Sequence, residues 1–161
     1  MSIYQEYKKR NLEPCHVFIA TSLALFRKYG ALNFGVVIVA MEDTGRKLAQ
    51  LALKEKGESI RSLSIPDMIS LLNQMIDMNS ELKTELVGDS LIVKSRSSLC
   101  KLCPRGVGGL ELPGRLCPYL GLIRGFVEEI TGLYLESDFN SDFFKRDGDY
   151  CVIKYSVKTR K

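Results

Sequence analysis

Apolar positions along the chain recur first at helical spacing. Ile19, Leu23 and Phe26 share one side of a helix predicted over residues 15–29, with Pro14 ahead of it and Gly30 as its stop. Asn33 is placed to cap a second helix over 34–56, whose stripe is Ile38, Met41, Leu48 and Ala52 with Gly45 on the same face. Residues 35–41, Gly-Val-Val-Ile-Val-Ala-Met, are apolar all round, which predicts burial on several sides. Their β-branched side chains would also suit a strand; the helical stripe that continues beyond them decides for helix. Ser64-Ile-Pro-Asp67 has the form of a helix start, with a capping hydroxyl, a first-turn proline and an acidic residue at the positive end of the dipole. Met68, Ile69, Leu72 and Ile76 give the buried face of this third, shorter helix.

The period then changes to two. Leu82, Thr84 and Leu86 alternate with Lys83 and Glu85, Gly88-Asp89 makes a turn needing positive φ at its first position, and Leu91, Val93 and Ser95 continue beyond it. This is a hairpin with one face buried. An irregular stretch over 97–116 follows, rich in Gly, Pro and Cys. A fourth helix is predicted over 118–131 from Leu120, Ile123, Val127 and Ile130, with Gly121 and Gly125 one turn apart to admit a close neighbour and Gly132 as its end. A second hairpin is predicted from strands 133–139 and 149–157, joined around Arg146-Asp147-Gly148. In its last strand Cys151, Ile153, Tyr155 and Val157 share one face. The fold class expected is α+β: a twisted antiparallel sheet of about four strands with helices packed on one face. Residues 1–12 read as a polar tail and 13–161 as a single domain, with no internal repeat.

A chain of 161 residues can bury a full core without staples, and 45% hydrophobic with 26% charged residues is ordinary for a globular domain. The net charge of +4 is mild, and much of it lies at the ends, in Lys8, Lys9 and Arg10 and in Lys154, Lys158, Arg160 and Lys161. A nucleic-acid binder would show a basic stripe along one element, so no nucleic-acid partner is expected and the ends read as solvated. Residues 1–11 hold no apolar signal core, and the longest apolar run, 34–41, is too short to span a bilayer. The expected compartment is cytoplasmic. Thiols stay reduced there, which turns grouped cysteines towards metal or redox chemistry rather than structural disulfides.

Cys100 and Cys103 form a C-x-x-C pair, followed by Cys117 at the start of the fourth helix and Cys151 on the last strand. Such a pair brings two thiolates to one ion from a single turn, and tetrahedral zinc takes its other two ligands from any element that reaches it. The expectation is a four-cysteine Zn2+ site that pins the long loop 104–116. Three alternatives stay open: a redox-switching thiol set, an iron–sulfur cluster, and scattered cysteines with no common site. A second C-x-x-C pair is missing. His16 is the single histidine and adjoins Cys15; neighbours in a helix do not face each other, so it is a reserve ligand and not half of a nucleophile–base pair. Gly106-Val-Gly-Gly109 lacks the strand, lysine and helix of a phosphate loop. Glu128-Glu129 reads as a helix-surface pair, and the carboxylates between Ser137 and Asp149 lack calcium-loop spacing.

Cys117-Pro-Tyr-Leu-Gly121-Leu-Ile-Arg-Gly125-Phe-Val-Glu-Glu-Ile, then Gly148-Asp149-Tyr-Cys151, together with Met41-Glu-Asp-Thr-Gly45-Arg-Lys-Leu-Ala, resembles the 4-vinyl reductase, or hydrocarbon-binding, domain family. The likeness runs from about Cys15 onward and is nearest to the stand-alone archaeal members. It implies a fold shared with the small subunits of the transport-protein-particle complex, a homodimer, and an apolar cavity among helices for a hydrocarbon or lipid-like ligand. It maps the family's cysteines onto Cys117 and Cys151. The function expected is therefore binding of an apolar small molecule by a domain with a structural zinc. Val36, Val37, Ile38, Met41, Phe126 and Ile130 are candidates to line the ligand between the first, second and fourth helices, though apolar helix stripes are ordinarily core. A thiol- or metal-based redox sensor acting through a partner protein is the alternative, and a tetrapyrrole vinyl-reductase component a third; no catalytic residue is assigned.

Overall fold

The structure is a computed structural model that describes residues 2–138 and 142–159. Five helices, α1 (Ile3–Arg10), α2 (Pro14–Lys28), α3 (Phe34–Lys56), α4 (Ile65–Ile76) and α5 (Tyr119–Thr131), accompany five strands, β1 (Leu82–Val87), β2 (Ser90–Arg96), β3 (Leu133–Glu136), β4 (Phe144–Asp147) and β5 (Tyr150–Thr159). This is the expected α+β class, with an antiparallel sheet and helices packed against it. The predicted caps are present: Asn33 Oδ1 accepts from Val36 N at 3.0 Å, and Ser64 Oγ accepts from Asp67 N at 3.2 Å.

The sheet runs β1-β2-β5-β3, and β4 also pairs with β5. Register explains how five strands fit: β3 meets β5 at Glu136↔Ser156 to Leu133↔Thr159, while β4 meets it at Phe144↔Ile153 to Asp147↔Tyr150. The two short strands thus share one edge of β5, each covering half of it, so the sheet is four strands wide. The second hairpin is accordingly corrected. The turn joins β5 to β4, not to the strand that starts at Leu133, because the chain leaves the sheet after Glu136 and returns at Phe144. Both hairpins turn on Gly-Asp, with Gly88 at φ +61 and Gly148 at φ +56. The expected strand end at Phe139 and the terminal Met1, Arg160 and Lys161 lie outside the described residues.

Helix α5 is the axis of the core. It is buried from Tyr119 through Glu128 on every side, and α3 lies along it. Glycine permits this. A Cβ at Gly121 would stand 2.9 Å from both Glu42 N and Met41 Cβ, and one at Gly45 2.9 Å from Phe126 N. The two backbones are in direct contact, so nothing larger than hydrogen fits at these crossings. Glu128, expected on the surface, is 3% exposed; its Oε1 accepts from Leu135 N at 2.9 Å and so ties α5 to β3. Glu129 stays half-buried and accepts from Gln50.

Residues 1–12, read as a solvated tail, instead carry helix α1. Ser2 and Gln5 form a capping box, and Glu6 and Arg10 pair one turn apart. Arg10 is 5% exposed and donates from Nη1 to the carbonyls of Ser97 at 2.9 Å and Cys100 at 2.6 Å. No helix among the described residues is long and apolar enough to cross a membrane.

Candidate functional site

The four clustered cysteines come from three places. Cys100 ends the short turn after β2 and is bridged to Asn79. Cys103 opens a tight turn in which Val107 N and Gly108 N both donate to its carbonyl, at 2.9 and 3.2 Å. Cys117 precedes α5, where the backbone N–H groups of Tyr119 and Leu120 point at its sulfur. Cys151 lies on β5 opposite Ser95 of β2 and Arg146 of β4. Period-two alternation puts Ser95, Cys151, Ile153 and Tyr155 on one face of the sheet, as the sequence predicts.

All four line one cavity of about 670 Å³. They do not form a coordination shell in this arrangement: among the described residues, no three His, Cys, Asp or Glu side chains are grouped so as to hold a metal ion. The thiols nevertheless feel one another. The Cys100 thiol has two acceptors in reach, the Tyr119 hydroxyl oxygen at 3.0 Å and the Cys103 sulfur. The hydrogen bond from Cys100 is the largest influence on Cys103. With the N–H groups of Gly106 (3.3 Å) and Arg105 and the charge of Arg10, it brings the Cys103 thiol down to about 6. The same Cys103 bond, then burial, pushes Cys100 up. Burial pushes Cys117 up against the two helix N–H groups, and burial raises Cys151 with the nearby Cys103 adding to it. Of the four thiols, Cys103 is the one driven towards the thiolate, and the other three are driven away from it. The Tyr119 hydroxyl donates to Met78 O, which fixes the buried ring beneath the cysteines.

Four arginines border this cavity: Arg10, Arg105, Arg115 and Arg146. Sequence reading missed them as a group because they are spread over 137 positions of numbering. The capping box at Ser2 and the Glu6–Arg10 spacing were signals that α1 would be ordered. Arg105 Nη2 donates to Leu112 O at 2.8 Å and Gly114 O at 2.9 Å, Arg115 lies over the Phe143 ring at 5.1 Å, and Arg146 Nε donates to Gly148 O at 3.2 Å.

The expected ligand-lining residues are elsewhere. Ile38, Phe126 and Ile130 are buried in the main core, Val37 in a smaller cluster with Leu110 and Leu116, and Met41 packs against both. Neither this cavity nor a smaller one beside α2, of about 300 Å³, is lined by any of them. The glycine contacts between α3 and α5 explain why: the helices meet at backbone distance and leave no gap there. His16 is 2% exposed and structural. Glu13 N donates to its Nδ1 at 2.8 Å, so the ring proton is on Nε2, 3.3 Å from Ile76 O. Cys15 is exposed and apart from the site.

Fold and site together define a small α+β domain with a thiol-lined, arginine-bordered cavity at one end of its sheet. Residues 30–157 match the MJ0207 family, and the chain belongs to it. The uncharacterized protein MJ0207 of Methanocaldococcus jannaschii is 35% identical over 169 residues, covering 98% of this chain and 100% of its own length. No solved structure matches the chain. Neither match links the chain to a 4-vinyl reductase domain.

Proposed function

We propose that this domain is a small-molecule-binding module whose site is the cysteine-lined cavity, with Cys100, Cys103, Cys117 and Cys151 taking one Zn2+ ion. The observation that carries the reading is that four of the chain's five cysteines, from a turn, a helix start and a strand, border a single cavity. The donor set suits zinc, since four thiolates satisfy a tetrahedral d¹⁰ ion. The arrangement described here is wider than such a shell, so binding requires the sulfurs to draw together. Three of the four belong to the 100–117 segment, which has no strand or helix of its own, while Cys151 is held in the sheet. An ion bound there would supply a cross-link between that segment and β5, and no reaction is assigned to it. Under this reading the ligand sits in the cavity and not among the helices, where α3 and α5 meet at backbone distance. The hydrocarbon-binding resemblance supports ligand binding in general terms only, and a homodimer remains an expectation from that resemblance.

Thiol counting tests this. Purified protein supplied with zinc should leave four of its five thiols slow towards a disulfide reagent, and a chelator should release them together with one zinc per chain. Four thiols that react equally fast with and without chelator would refute the metal site.

A second reading rests on the adjacency of Cys100 and Cys103. The Cys103 thiolate would attack a partner's disulfide, forming a mixed disulfide and releasing one thiol; Cys100, losing its proton, would displace the second and leave a Cys100–Cys103 disulfide. Under this reading two thiols, not four, disappear on mild oxidation, with or without zinc.

A further inference from the structure

The charge around the cavity is one-sided. Arg10, Arg105, Arg115 and Arg146 border it, and among the described residues no Asp or Glu lines it. Arg10 is balanced by Glu6 and bound to two carbonyls, so it belongs to the floor. The other three are exposed at the rim. Each keeps N–H groups beyond those used in the bonds that steady it: Arg105 uses Nη2, Arg146 uses Nε, and Arg115 is held by its face on Phe143. Guanidinium groups steadied at one edge offer a planar fork that matches a carboxylate or phosphate group. Leu116, Phe144 and Ile153 supply apolar lining, beside the hydroxyls of Ser95, Ser97 and Ser98. A cavity of about 670 Å³ is in the range that encloses a small organic ligand. Its low-dielectric wall strengthens the attraction of the rim for an anion.

From this we infer that the cavity takes an amphipathic organic anion, with its carboxylate or phosphate head at Arg105, Arg115 and Arg146 and its apolar part on Leu116, Phe144 and Ile153. The inference rests on the reading of this cavity as the ligand site and is independent of whether zinc occupies the sulfurs. Four thiolates on Zn2+ carry a net −2, which two rim guanidiniums offset and which leaves the third for the ligand, so binding is expected with zinc present but weaker.

The test is calorimetric titration of the full chain, metal-free and zinc-loaded, with octyl phosphate, octanoate, 1-octanol and octyltrimethylammonium, all below their aggregation limits. The metal-free protein should bind one of the two anions at one per chain, the better anion naming the head group, and at least about tenfold more tightly than the alcohol or the cation. Binding should weaken as salt rises. The paired substitution Arg115→Gln with Arg146→Gln changes exposed side chains, and an unchanged circular dichroism melt verifies the fold; affinity for the anion should fall by about tenfold or more while that for 1-octanol stays as it was. Anion and alcohol binding alike, no anion binding, or unchanged affinity in the double variant would each overturn the inference. Zinc uptake by the thiols without anion binding defeats this inference alone; anion binding without zinc uptake defeats only the metal reading.

Discussion

Replacing Gly125 by Ala probes the close α3–α5 contact at the centre of the fold. The added methyl would lie 2.8 Å from the Glu42 carbonyl carbon and 3.0 Å from Arg46 N, and closer still to the Glu42 carbonyl oxygen. All are backbone atoms of α3, so no side chain can swing aside. Ordinary contact begins near 3.4 Å, and the oxygen sets the requirement: α3 and α5 must part by about 1.5 Å or bend. Overpacking of this kind costs about 1–3 kcal/mol, and a clash against backbone belongs at the upper end. About 3 kcal/mol lowers the melting temperature of a domain this size by roughly 6–12 °C. Helix α3 supplies a control. Gly35→Ala meets only Asn33 Oδ1, at 3.3 Å, and gains helix propensity, so it should stay within about 0.5 kcal/mol of the parent. Urea denaturation of both variants measures the difference directly. A Gly125→Ala protein as stable as Gly35→Ala would refute the tight α3–α5 seam, and with it the argument that the helix interior has no room for a ligand.

Further outcomes follow from buried charge and from the thiols. Lys101, between Cys100 and Cys103, is 2% exposed and paired with the half-exposed Asp77. Asp77→Asn keeps a residue that tolerates φ +46 but strips the countercharge, and should cost about 2 kcal/mol in denaturant titration; adding Lys101→Met should recover most of it. In metal-free protein, alkylation of Cys103 followed by peptide mass spectrometry should rise with pH through a midpoint near 6. A folded-state value below the ordinary 9 means the thiolate form is favoured above the midpoint and lost as pH falls through it. Cys100→Ala removes the largest cause and should move that midpoint up; an unmoved midpoint would refute the Cys100–Cys103 hydrogen bond.

Much of the architecture was legible because local signals agreed with packing. Helices α2 to α5, their caps at Asn33 and Ser64, the Gly88-Asp89 turn and the shared face of Cys151, Ile153 and Tyr155 follow from period, capping chemistry and turn residues. Three features were not, each for a physical reason. Helix α1 has few apolar residues, and Arg10 is buried by hydrogen bonds to distant carbonyls that no periodicity records. Strand β4 is four residues of which three are charged, and its place comes from pairing with β5. An apolar stripe does not say whether it faces a void or another helix, so the packing of the expected ligand-lining residues against one another was not legible; Gly45, Gly121 and Gly125 mark where α3 and α5 close on each other. At the site, the four cysteines were visible in the sequence as candidates, while the arginine border depends on α1, the 100–117 segment and β4 meeting in space.

The most direct test of the metal reading is X-ray absorption at the zinc edge on protein loaded with one equivalent of zinc, beside Cys117→Ser and Cys151→Ser. Four sulfur neighbours at ~2.3 Å in the parent, with one sulfur replaced by a lighter atom in each variant, is the predicted result. A shell of mixed or light neighbours that neither substitution alters would contradict it.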